Sequence, residues 1–210
     1  MIFNILQSIC VALFRRVHKT QALKKFSWLL LAVFFAPIAQ AQSFSDKDWA
    51  EAAENVVRLR PDQFPFLSKS TVAKLEQLRC RIPQHAFSGE PNNLIPGQFL
   101  KRGQTDVALL CERDQMIALL VLPDMGKGKP MHLAVSTIEK YLQGMGENKI
   151  GFSWEITKIP MRKVMKTWGG STCKWRPHDA PHGINHAFID KWFIVRYSVK
   201  ARWQECEGSD

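Results

Sequence analysis

Apolar positions along the chain follow three successive patterns, each predicting a different kind of structure. Residues 28–39 form an unbroken apolar run, from Trp28 through Leu29, Leu30 and Leu31 to Ala39. Between residues 45 and 79 the apolar positions recur every three or four residues. From Leu94 onward they come in short runs bounded by Gly, Pro and charged turns. These read as a leader, then amphipathic helices, then strands.

In the helical zone, Ser45 is placed to cap a helix, with Asp48 three residues on to complete a capping box. Phe44 and Trp49 sit where a hydrophobic staple would bring them together. Trp49, Ala52, Ala53, Val56 and Val57 keep helical spacing until Pro61 ends the run. A second helix is predicted from Thr71 to Arg79, burying Val72, Leu75 and Leu78. In the strand zone, Leu94–Leu100, Val107–Cys111, Met116–Leu122 and Lys149–Ile156 are too short for buried helices. Glu112-Arg113-Asp114-Gln115 turns the second into the third, and residues 124–130 read as a loop. A helix from Pro160 to Trp168, closed by Gly169-Gly170, precedes a loop holding Pro177, Pro181 and Gly183. Trp192–Val199 and Arg202–Cys206 then form a hairpin, with Phe193, Val195, Tyr197 and Val199 alternating toward the core. The expected fold is α+β, with N-terminal helices packed on antiparallel strands and hairpins.

Charge distribution changes how the first pattern is understood. The first 41 residues hold no acid but carry Arg15, Arg16, Lys19, Lys24 and Lys25, and the apolar run ends in Ala39-Gln40-Ala41. A cationic stretch, a short apolar stretch and an A-x-A site make a secretory signal peptide, cleaved after Ala41. The run is short for a membrane span, which needs about 20 residues. A second apolar stretch, Ile2–Phe14, leaves an uncleaved anchor as the alternative. Val17-His18-Lys19 after the arginine pair lacks the apolar residues of a twin-arginine signal, and bulky Ile9 before Cys10 speaks against lipidation. Without the leader, 24 basic residues face the same 19 acidic ones. Half of the apparent basicity is therefore targeting sequence, which argues against a specific nucleic-acid partner. Residues 42–210 suit a single domain with no transmembrane segment, working in the periplasm or outside the cell.

Four cysteines remain after the leader: Cys80, Cys111, Cys173 and Cys206. An even number in an exported chain argues for two disulfides with three connectivities. Cys80–Cys111 and Cys173–Cys206 are favoured because each pair flanks a compact unit, and each would contribute about 3–4 kcal/mol.

Several short patches resemble a family of exported bacterial proteins of unknown function. They are Ile95-Pro96-Gly97-Gln98-Phe99, Gly103-Gln104-Thr105-Asp106 through Cys111, Tyr141-Leu142-Gln143-Gly144, Lys149-Ile150-Gly151-Phe152 and His182-Gly183-Ile184-Asn185. The resemblance implies export and an α+β fold, and it implies no activity. The first patch also resembles one strand-loop-strand unit of FG-GAP propeller repeats, which bind calcium. Only one copy is present, however, and Asp106 supplies one carboxylate where several oxygens are needed. Asp106 is instead expected to accept backbone amides of its turn.

Two constellations carry candidate chemistry. Cys173, His178, His182 and His186 follow a C-x4-H-x3-H-x3-H spacing, and a loop converging the rings of His178, His182 and His186 would bind zinc or copper. The competing reading is a proline-rich loop with solvated histidines. The stretch from Ile156 to His178 is basic without a single acid: Lys158, Arg162, Lys163, Lys166, Lys174 and Arg176, interleaved with Trp168 and Trp175. On a helix, Met161, Val164, Met165 and Trp168 share one face while Arg162, Lys163 and Lys166 point away. Such a face would hold an anionic envelope component, or be the solvated side of an ordinary packed helix. No G-x-S-x-G elbow or Rossmann glycine pattern occurs, and the Gly126-Lys127-Gly128 segment lacks P-loop spacing. His186 and Asp190, one helical turn apart, are the least arbitrary acid–base pair. The sequence thus favours a non-catalytic exported binding module, with a hydrolase or metal protein centred on the histidines as the alternative.

Overall fold

The computed structural model describes residues 43–146, 148–168, 180–188, 191–200 and 202–209. The predicted leader, Cys173, Lys174, Trp175, Arg176, His178 and Asp190 lie outside the described residues. Helix α1 spans Asp46–Glu54 and α2 spans Lys69–Gln77. Short β1 (Arg58–Leu59) and β2 (Ile82–Pro83) pair with each other. Four strands follow, β3 (Leu94–Gly97), β4 (Asp106–Arg113), β5 (Met116–Leu122) and β6 (Met131–Thr137), and make an antiparallel sheet in that order. A two-stranded pair, β7 (Leu142–Gly144) and β8 (Ile150–Phe152), leads to β9 (Trp154–Pro160) and helix α3 (Met161–Trp168). The second large sheet has the order β12-β11-β10-β9, with β10 (His182–Phe188), β11 (Trp192–Val199) and β12 (Arg202–Ser209).

The chain is mostly β, with three α-helices and 12 antiparallel strands in four sheets among the described residues. This shifts the expected α+β balance. The N-terminal helices are present, but residues predicted as loops pair as strands.

Local chemistry explains the boundaries. Ser45 and Asp48 form the capping box, and the Phe44 and Trp49 rings meet edge-to-face at 5.9 Å. Helix α1 stops at Glu54, well short of Pro61, because Arg58 folds back on its end. The Arg58 guanidinium donates to the carbonyls of Ala53 (2.7 Å), Glu54 (3.0 Å) and Val56 (2.6 Å), and to the Glu112 carboxylate (2.7 Å). Carbonyls left open by the last turn are thereby satisfied. Asp114 and Gln115, both at positive φ, make the two-residue turn between β4 and β5, the geometry that matches strand twist.

Packing builds layers. One face of the first sheet (Ala108, Leu110, Leu119, Val121) meets Trp154, Ile156 and Ile184 of the second, with Phe152 and Tyr141 between. Its opposite face (Val107, Leu109, Leu120, Leu122) takes Leu75 of α2, Phe64 and the Cys80–Cys111 disulfide, whose Cα atoms lie 5.2 Å apart. Helix α3 places Met161 and Val164 on the far face of the second sheet, against Phe193, Val195, Tyr197 and Cys206. The described residues hold this one complete disulfide, where two were expected. Cys206 is disulfide-bonded, and Cys173, the partner proposed for it, is not among them.

The sheets are joined by Asn93. It sits fully buried at positive φ, accepts from the Ile156 amide (2.9 Å) and donates to the carbonyls of Pro83 (2.8 Å) and Trp154 (3.1 Å). Its side chain acts as one more strand position beside β9. Asn tolerates this left-handed conformation better than most residues. No helix among the described residues is long and apolar enough to cross a membrane.

Candidate functional site

Helix α3 begins as β9 ends. The Met161 amide donates to the Pro181 carbonyl (2.9 Å), closing the helix start onto the entry of β10. Gly183 of β10 lies under it. A Cβ at Gly183 would stand 3.0 Å from the Met161 sulfur and 3.1 Å from Val195, so the bare backbone lets α3 settle on the sheet. Met161 and Val164 are buried, Met165 is half-buried, and Arg162, Lys163 and Lys166 are exposed, as the spacing predicts. For Trp168 only the backbone is described.

The electrostatics of α3 are one-sided. No acid occurs from Ile156 to Trp168, and Arg162, Lys163 and Lys166 form no ion pair among the described residues. Arg162 and Lys163 occupy the first turn, where unpaired amides already give the helix end a partial positive charge. Cations there oppose the macrodipole, and an anion would relieve both. Lys158 does not join this face. Strand alternation sends it to the opposite side of β9 from Thr157 and Ile159, next to His182. Lys174, Trp175 and Arg176 lie outside the described residues.

The histidine segment is a strand, not a loop. His182–Phe188 pairs with β9 on one side and β11 on the other. His182 and His186 share a face but lie four extended residues apart, about 13 Å at strand rise, so the two rings do not converge. His178 is outside the described residues, and no group of three His, Cys, Asp or Glu side chains converges among those described. The His182 Nδ1 accepts from the Gln98 amide (3.1 Å), and burial followed by the Lys158 charge lowers its pKa.

His186, read from the sequence as half of an acid–base pair with Asp190, is buried, and Asp190 lies outside the described residues. Arg196 Nη1 lies 2.9 Å from its Nδ1. Because a guanidinium only donates, Nδ1 accepts and the proton sits on Nε2. Burial, and then the Arg196 charge, push the His186 pKa down to about 3. Its ring packs 4.4 Å from that of Trp154 and 5.8 Å from that of Tyr141. Arg196 also donates to Glu205 (2.7 Å). Burial raises the Tyr141 hydroxyl to about 12, against a smaller lowering by Arg196. Neither His186 nor Tyr141 is poised to exchange protons near neutrality.

Arg196, Glu205 and Trp154 were missing from the candidates. Reading β11 as half-exposed made Trp192, Ile194, Arg196 and Ser198 its solvent side. The apolar residues among them were the available sign that both faces are covered.

Two surface clefts occur among the described residues. One of about 410 Å³ lies between the end of α1, residues 84–91 and β8, lined by Val57, Gln84, His85, Glu90, Ile150 and Phe152 among others. The second, of about 340 Å³, lies over β5 and β6 and is lined by Met116, Ala118, Leu120, His132 and Val135 among others. No family model, curated protein or solved structure matches this chain.

Proposed function

We propose that this is an exported, non-catalytic binding module whose α3 face engages an anionic component of the cell envelope. The carrying observation is the charge of α3: Arg162, Lys163 and Lys166 all point outward, pair with no acid among the described residues, and stand beside a helix end that adds to the field. Export rests on the N-terminal sequence pattern and agrees with an oxidised Cys80–Cys111 pair. The resemblance to exported bacterial proteins adds to this from the sequence patches alone.

Retention on an anionic support, and co-sedimentation with phosphatidylglycerol vesicles, test the reading. Lys163→Ala with Lys166→Ala should weaken both, and the wild-type difference should shrink with added salt. Lys47→Ala with Lys69→Ala removes the same charge from α1 and α2 and serves as the control. If the two double variants behave alike, net charge alone is responsible and the α3 face has no binding role.

A further inference from the structure

Among the described residues, three of the four edge strands of the two large sheets are guarded. An unguarded edge presents free amides and carbonyls to any extended chain, and proteins blunt such edges with charge, proline or a covering segment. Strand β3 carries Pro96. Strand β9 has its outer amide at Ile156 and carbonyl at Trp154 taken by the Asn93 side chain, and also carries Lys158 and Pro160. Strand β12 bears Arg202, Glu205 and Glu207.

Strand β6 has none of these. It reads Met-His-Leu-Ala-Val-Ser-Thr, without a proline or a formal charge. It pairs with β5 on one side only, and no other backbone hydrogen bond of Met131–Thr137 occurs among the described residues. The bulge opposite Leu119/Leu120 turns Leu133 and Ala134 inward together, and leaves His132, Val135 and Thr137 outward. It twists the strand without capping it. Next to this edge lie two exposed apolar side chains, Val135 at 56% and Met116 at 41%, with Arg113 and Asp114 at the turn end of the same surface. Val135 and Met116 both line the 340 Å³ cleft over β5 and β6. A free edge and an uncovered apolar strip therefore coincide.

We propose that β6 is a homodimer edge, pairing antiparallel with β6 of a second copy to make one eight-stranded sheet. The strand's own chemistry selects a second copy. An antiparallel two-fold places the strand opposite itself, which punishes any charge by setting like against like. This strand carries no formal charge to be punished. The same two-fold would bring the two Val135/Met116 strips side by side and bury both. A charged peptide partner would find no complementary group on β6. The surface is remote in sequence from α3, and the inference does not depend on the binding role given to that helix.

Sedimentation analysis of the purified chain at micromolar concentration should give twice the monomer mass. Val135→Lys should raise the dissociation constant at least about ten-fold, with unchanged circular dichroism and melting, because the position is solvent-facing. Thr137→Lys should do the same, whereas Val135→Thr, uncharged and β-branched, should remain dimeric. Hydrogen exchange should show the outward amides of Met131–Thr137, those not bonded to β5, protected at high concentration and released on dilution. A wild-type monomer, or a dimer indifferent to both lysines, would overturn the proposal. Protection that does not change with dilution would do so as well, since the edge would then be covered by its own chain. A monomer whose β6 amides are protected only by an added extended peptide would replace the second copy with a different occupant.

Discussion

Arg196 holds His186 in one tautomer, its Nη1 2.9 Å from the imidazole Nδ1, while burial of the ring, and then the Arg196 charge, set how this histidine answers acid. In the folded chain the ring stays neutral down to about pH 3, whereas in the unfolded chain it protonates near 6.5. Between those values the unfolded state binds the extra proton, so stability falls as pH drops from 6.5 toward 3 and is unaffected above 6.5. His186→Gln keeps an acceptor for Arg196 but cannot titrate. Urea unfolding of the two proteins should therefore show wild type losing about 1.4 kcal/mol more per pH unit across pH 6 to 4. Parallel curves would mean that the imidazole is already charged in the fold.

Asn93 ties β9 to the chain around β2 through three buried hydrogen bonds of its side chain. Removing its side chain leaves the Ile156 amide and the Pro83 and Trp154 carbonyls buried without partners. Each such loss costs about 1–3 kcal/mol, and a left-handed Ala adds strain. Asn93→Ala should lower unfolding free energy by roughly 3–5 kcal/mol, read by chemical denaturation. Asn93→Asp should be comparably damaging, because a carboxylate cannot donate to two carbonyls. A loss below about 1 kcal/mol would show that water replaces the side chain.

What the sequence revealed follows from which forces are local. The capping box at Ser45, the Met116–Leu122 strand and the outward Arg162, Lys163 and Lys166 all depend on neighbours within a few residues, and all appear in place. Strand β6 was not legible because its bulge puts Leu133 and Ala134 on the same side and breaks the alternation. The His182–Phe188 strand was hidden by Pro181 and Gly183. One precedes the strand, and the other is a packing requirement of α3 set by Met161, distant in sequence but in contact in the fold. Arg58 ended α1 by turning its side chain onto the Ala53, Glu54 and Val56 carbonyls, steadied by a long-range bond to Glu112, none of which helix periodicity contains. The candidate histidines failed to gather for the same reason: their spacing has meaning on a helix and a different one on a strand.

Asp106 shows how a motif-like carboxylate is spent on structure. It is fully buried, and its two oxygens accept from the amides of Phe99 (3.0 Å), Leu100 (3.0 Å) and Asp124 (3.1 Å) and from the Gln104 side chain. With those positions filled, no oxygen is left to collect a cation. Millimolar calcium should leave the melting temperature unchanged, while Asp106→Ala should destabilise by about 3 kcal/mol or more. A calcium-dependent rise in melting would mean that the turn rearranges around the ion.

Cys206 yields the sharpest covalent prediction. It lies buried in the core under α3, beside Val195 in register, and it is disulfide-bonded. Cys80 and Cys111 already hold each other, so only Cys10 and Cys173 remain in the sequence as partners. Cys10 belongs to the stretch removed with a cleaved signal peptide, which leaves Cys173, a few residues beyond the end of α3. A bond there would tie the segment after the cationic helix to β12. Non-reducing peptide mapping of the purified protein should recover Cys80 with Cys111 and Cys206 with Cys173, and Cys173→Ser should lower stability by about 2–4 kcal/mol. Recovery of Cys206 linked to Cys10 would show instead that the leader is retained, and with it the anchored form of the chain.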